Sequence, residues 1–89
     1  MEMLDRINKL FDALRAEIKQ DHRAIYSLDL VQALFELPVI IPARLKEKLG
    51  VNYQTAGKYL NRLAAAGILR EQWKGKYHLF SNHKLLELL

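Results

Sequence analysis

Apolar residues near the start of the chain recur at spacings of three and four: Leu4, Ile7, Phe11, Leu14 and Ile18. Asp5, Arg6, Lys9, Asp12, Arg15 and Lys19 fall between them. That period predicts an amphipathic helix over residues 1–22 with one apolar stripe. No glycine or proline interrupts residues 2–37. The same spacing is that of a coiled coil, but it lasts only about two heptads. The stripe therefore has three candidate partners: the chain's own domain, a helix of a second copy, or a domain that precedes this one.

The pattern restarts after QDHRAIYS. Ser27 is placed to cap a second helix, with Asp29 in its first turn, where a carboxylate suits the positive end of the helix dipole. Leu28, Val31, Leu34 and Phe35 are its expected buried face. Pro38 ends it, because the residue before a proline is driven out of the α region. Val39-Ile40-Ile41 is β-branched and reads as a short strand or extended link. Pro42 suits the first position of a third helix, where its missing N–H costs nothing. Leu45 and Leu49 turn inward, and Gly50 closes the helix in a left-handed conformation. Val51 is a buried turn residue. Asn52 caps a fourth helix, residues 53–66, with Ala56, Leu60 and Leu63 facing in.

Beyond Gly67 the period changes from helical to alternating. ILREQW and KYHLF read as two strands of a hairpin around Lys74-Gly75, and Ile68 and Leu69 join the core. A two-residue turn there pairs Trp73 with Lys76 and Leu69 with Phe80, and a longer loop is equally allowed. Ser81 or Asn82 caps a last short helix through LLELL. A short helix, a glycine-containing turn, a longer capped helix and a hairpin make a winged helix-turn-helix. The fold class expected is mainly α with a small β-hairpin, a winged-helix DNA-binding-like domain over residues 23–89. Residues 1–22 add an N-terminal helix, and the whole forms one compact domain.

Charge sharpens this picture. The 89 residues carry a formal net charge of +4. Residues 42–78 alone hold eight Lys/Arg against Glu47 and Glu71, a local net of +6. A basic centre between non-basic ends suits a polyanion. In a helix-turn-helix the second helix offers its exposed side chains to a DNA major groove. The candidate contacts are Arg44, Tyr53, Gln54, Lys58, Asn61 and Arg62, with Lys74 and Lys76 on the wing at 73–76. Gln54 and Asn61 have the amide geometry that pairs with adenine, and Lys58 and Arg62 can reach guanine or phosphate. Gly57 puts no side chain in the way of a close approach. Blander roles exist for several of these. Gln54 and Asn61 serve equally as surface amides, Arg62 as the partner of a neighbouring acid, Tyr59 as a packing residue, and Trp73 as hairpin packing more readily than as a base-stacking ring.

Enzymatic signals are missing. Cysteine is absent, and His22, His78 and His83 do not share the spacing of a metal pair on one helix face. There is no triad arrangement, phosphate-cradling glycine loop or carboxylate pair. No catalytic residue, metal ligand or cofactor is expected. No apolar run reaches the roughly 18 residues of a membrane span, and MEMLDRINKL lacks the features of a signal peptide. No membrane partner is expected, and the setting implied is bacterial or archaeal cytoplasm.

Three runs carry a family resemblance: LFELPVI (34–40), LGVNYQTAGKYLNRLAAAGIL (49–69), and GKYHLFSN (75–82) followed by LLELL. Together they resemble the C-terminal winged-helix tail of Fic-family proteins over roughly residues 25–89. The match rests on the LFELP step (34–38), the QTAGKYL helix (54–60), and Gly75-Lys76 with Phe80. The resemblance implies a tail that follows a catalytic domain. The HPFxxGNGR-type loop of Fic catalysis is absent from these residues, so AMP transfer by the Fic mechanism is not expected of this chain.

The expected function is DNA binding through helix 53–66 and the wing, in regulation or in positioning an attached catalytic domain, with a dimer favoured. The alternative is a protein-interaction or dimerisation module that modulates an attached Fic AMP-transferase domain without touching DNA. Its candidate surface is Leu4, Ile7, Phe11, Leu14 and Ile18.

Overall fold

The computed structural model of the chain describes residues 2–89. Helix α1 runs over Glu2–Asp21, α2 over Leu28–Glu36, β1 over Val39–Ile40, α3 over Pro42–Leu49 and α4 over Tyr53–Ala65. The wing is β2 (Arg70–Lys74) and β3 (Tyr77–Ser81), and α5 spans His83–Leu88. The three strands form one antiparallel sheet in the order β1-β3-β2. This is the winged-helix arrangement, with α1 added before it and α5 after it.

Local chemistry sets most boundaries. Ser27 Oγ accepts from the Leu30 N–H at 3.0 Å and opens α2. Pro42 sits in the first turn of α3, and Gly50 ends that helix at φ +67°. Asn52 Oδ1 accepts from the Thr55 N–H at 2.7 Å and opens α4. Helix α4 stops at Ala65, one residue short of the expected end, because Ala66 is already its cap. At that end Gly67 turns left-handed, and the N–H groups of Ile68 and Leu69 both bond back to the Leu63 carbonyl.

The core joins every layer. Leu30, Val31 and Leu34 of α2 meet Leu45 of α3, Ala56, Leu60 and Leu63 of α4, and Ile40 and Phe80 of the sheet. Leu28 departs from expectation. It lies about 160° round the helix from Leu30 and is exposed. Helix α1 packs on α2 and α5. Its Leu14 and Ile18 are buried in this same core, and the Phe11 ring meets Phe35 edge-on at 5.1 Å.

The hairpin register also differs from the expected pairing. Trp73 lies opposite His78 and Glu71 opposite Phe80, so the turn is Gly75-Lys76. Both favoured two-residue turns require a positive φ at the first central residue. Gly75 supplies it at +61°, and no residue other than glycine has a positive φ among those described. A Lys74-Gly75 turn would have forced Lys74 into that region. Leu69 is in the core, as expected, but it precedes the ladder and does not pair with Phe80.

Asn82 is the one fully buried polar side chain among the described residues. Its Nδ2 donates to the Leu34 carbonyl at 3.1 Å, and its own N–H donates to the Pro38 carbonyl at 2.7 Å. Its Oδ1 accepts from the Leu85 N–H at 3.4 Å, capping α5. Asn82→Ala is expected to lose the cap and strand the buried Leu34 carbonyl, at a cost of about 2–3 kcal/mol. Asn82→Asp keeps the acceptor, loses the donor and should not restore the wild-type urea midpoint.

Candidate nucleic-acid interface

Ala56, Leu60 and Leu63 anchor α4 on the core. At about 100° per residue, Gln54, Lys58 and Asn61 fall on the opposite side. All three are exposed, and their side chains make no hydrogen bond or ion pair with any described residue. Tyr53 and Gly57 lie on the flank of α4 that faces the wing. Tyr59 and Arg62 lie on the other flank, toward α1 and the loop that follows it.

The structure thus sorts the eight basic residues of the 42–78 stretch. Lys58 stands on the outward seam of α4, and Lys74 and Lys76 stand at the wing tip, all exposed. The Lys76 ammonium lies 5.7 Å from the Tyr77 ring centroid, within cation–π range. Arg44 is loosely engaged, 3.8 Å from Glu47 on the same helix, with both groups in solvent. Such a contact contributes little and leaves Arg44 available. Lys48 is bound to Glu36 at the end of α2. Arg62 donates from Nε to Nδ1 of His22 at 3.0 Å, which ties α4 to the loop after α1. Its partner is a histidine rather than the acid expected, and the bond holds it away from the outward seam. Lys46 and Arg70 are also exposed.

Sequence reasoning missed a cleft between the wing and the starts of α3 and α4. Ile41, Pro42, Ala43, Tyr53, Trp73, Lys76, Tyr77 and His78 line a space of about 310 Å³. Tyr53 and Lys76 were expected at an interface. Trp73 was expected to be hairpin packing, and Tyr77 and His78 had no assigned role. The signal was present in the turn chemistry: once Gly75 is the first turn residue, Trp73 must face His78. Their rings are stacked at 4.2 Å and 9°, and His78 leans on buried Phe80 at 4.3 Å. The His78 Nε2 is buried and 3.3 Å from a Glu71 carboxylate oxygen, but out of line for a hydrogen bond.

Of the apolar stripe on α1, Leu14 and Ile18 are spent inside this chain, and Phe11 packs against the core. Leu4 is exposed and Ile7 half-buried. Among the described residues no group of three or more His, Asp or Glu side chains is arranged to hold a metal ion. No helix among them is long and apolar enough to cross a membrane.

A family model described as the C-terminal domain of SoFic-like protein adenylyltransferases matches residues 10–85. That span runs from α1 into α5 and includes the whole helix-turn-helix and wing.

Gly57 offers a clean check on the geometry of α4. It has no positive φ, and a Cβ built on it meets nothing within 4 Å. Gly57→Ala should therefore stabilise the domain by about 0.5–1 kcal/mol, read as a rise in the thermal midpoint.

Proposed function

The chain belongs to the family of C-terminal domains of SoFic-like protein adenylyltransferases, and on that premise we propose that it is a DNA-binding winged helix. In this reading α4 enters the major groove and the wing follows the neighbouring backbone. The observation that carries it is the seam of Gln54, Lys58 and Asn61. Two amides and a cation stand in line on the outward side of a core-anchored helix, with no intramolecular partner among the described residues. Gln54 and Asn61 are the base-reading groups, and Lys58, Lys74 and Lys76 neutralise phosphate. Arg44 adds a phosphate contact from α3. Arg62 is a structural residue in this scheme, held by His22. AMP transfer is assigned to a Fic catalytic domain and not to these residues, which lack the HPFxxGNGR-type loop. The domain would then tether or regulate such an enzyme on DNA in the cytoplasm.

A second reading, a protein-interaction surface, has its own support. Leu4 is 55% exposed, and α5, which packs on α1, exposes Leu86 at 40%. A second copy or an attached catalytic domain would cover these side chains. A sedimentation coefficient that rises with concentration in the wild type, and stays flat in Leu4→Glu, would support pairing through α1.

Anisotropy with a random-sequence duplex at about 50 and 200 mM salt tests the main reading, because phosphate contacts make affinity fall steeply with salt. Lys58→Ala with Lys74→Ala should weaken binding and flatten the logarithmic salt slope by about two, close to one per lost contact. Arg62→Ala should leave that slope unchanged. An unaltered slope in the lysine double variant would remove the site assignment.

A further inference from the structure

The aromatic ladder of the wing is open at one end. Phe80 is buried in the core, His78 rests on it, and Trp73 stacks on His78 almost parallel. Trp73 nevertheless remains 61% exposed. Its inner neighbour holds it in place, so a further flat ring can join the stack with little loss of side-chain freedom. The cleft beside it supplies two more exposed aromatic surfaces, Tyr53 and Tyr77. Its volume, about 310 Å³, is at the small end of the range for ligand sites.

Lys76 is the one Lys, Arg, Asp or Glu among the lining residues, and the Glu71 carboxylate lies 3.3 Å from the lining His78. Lys74 is at the same tip as Lys76. Helix α3 begins at the floor of the cleft with no side-chain cap, Ile41 and Pro42 being unable to provide one. The positive end of that helix dipole thus faces the cleft, and acidic residues do not line it. An aromatic platform flanked by cations is the chemistry that holds the bases and phosphates of an unpaired strand.

We propose that this cleft takes an unpaired base of a DNA strand, stacked on Trp73 with its phosphate near Lys76 and the start of α3. The proposal rests on the DNA-binding reading and narrows its substrate to duplex DNA with an adjoining single-stranded stretch. Tyr53 in the cleft is next to Gln54 on the groove-facing seam, so one DNA molecule can reach both.

The test uses the wild-type chain and three DNA probes: a blunt duplex, the same duplex with a short oligothymidine overhang, and free oligothymidine. Trp73 is the sole tryptophan, so its emission reports on the cleft alone while anisotropy of labelled DNA reports affinity. The overhang should tighten binding about tenfold over the blunt duplex and quench Trp73, and the blunt duplex should leave emission unchanged. Trp73→Ala should erase the tenfold gain, and Trp73→Tyr should keep part of it. Equal affinity for blunt and overhang DNA, with unchanged emission, overturns the proposal and leaves the duplex reading standing. Binding and quenching by oligothymidine without duplex binding upholds the cleft and overturns the duplex reading. Failure to bind any probe at low salt removes both.

Discussion

The hydrogen bonds around Asn82 are the joint on which the wing depends. A buried amide is costly unless its polar atoms are matched. Here one residue bonds the last turn of α2, the chain entering β1 and the first turn of α5. The first two are neighbours in sequence and both are far from the third, and apolar packing alone would hold α5 against them without fixing its angle. Directional bonds fix it. Asn82 follows β3 directly, so the same joint sets where Phe80 enters the core. From Phe80 the ring contacts run outward through His78 to Trp73. The aromatic face of the cleft is thus anchored from inside the molecule through Phe80.

Much of this was legible in the sequence because caps and turns are local. Ser27, Asn52, Pro42 and Gly50 perform the roles their chemistry suggests, since each needs only a few neighbouring residues. The hairpin register was legible as well, but only with a finer rule. Both Lys74-Gly75 and Gly75-Lys76 contain the glycine, and only the second puts it where a positive φ is required. The slip moves each pairing by two residues, so every side chain keeps its face of the sheet. Phe80 is inward in either register. What changes is the partner, and the partner makes the stack: Trp73 meets a histidine ring instead of a lysine.

The cleft and the fate of the α1 stripe were not legible, for a common reason. Periodicity tells which side of an element is apolar and says nothing of what covers it. The stripe on α1 is continuous in sequence, yet the molecule divides it. Leu14 and Ile18 are sealed by the core, and Leu4 lies beyond its edge. Leu28 shows the converse, an apolar residue at a helix start that falls outside the buried arc. The cleft draws on three stretches, residues 41–43, Tyr53 and residues 73–78. No window of sequence contains it.

Charge illustrates the same limit. The +6 of residues 42–78 pointed to a polyanion, but the count treats all cations alike. Lys48 and Arg62 are engaged with other parts of the chain at the surface, one with the end of α2 and one with His22. A cation already held by a neighbour must give up that contact to gain a phosphate, so it adds less to binding than its formal charge suggests. Lys58, Lys74 and Lys76 stand clear on the helix seam and wing tip, Lys46 and Arg70 are exposed as well, and Arg44 is only loosely engaged; of these, Lys76 lines the aromatic cleft. Counterion release depends on the number of phosphates actually neutralised. In the DNA-binding reading, strength and salt dependence should therefore follow the cations left clear, and the composition of the whole segment overstates them.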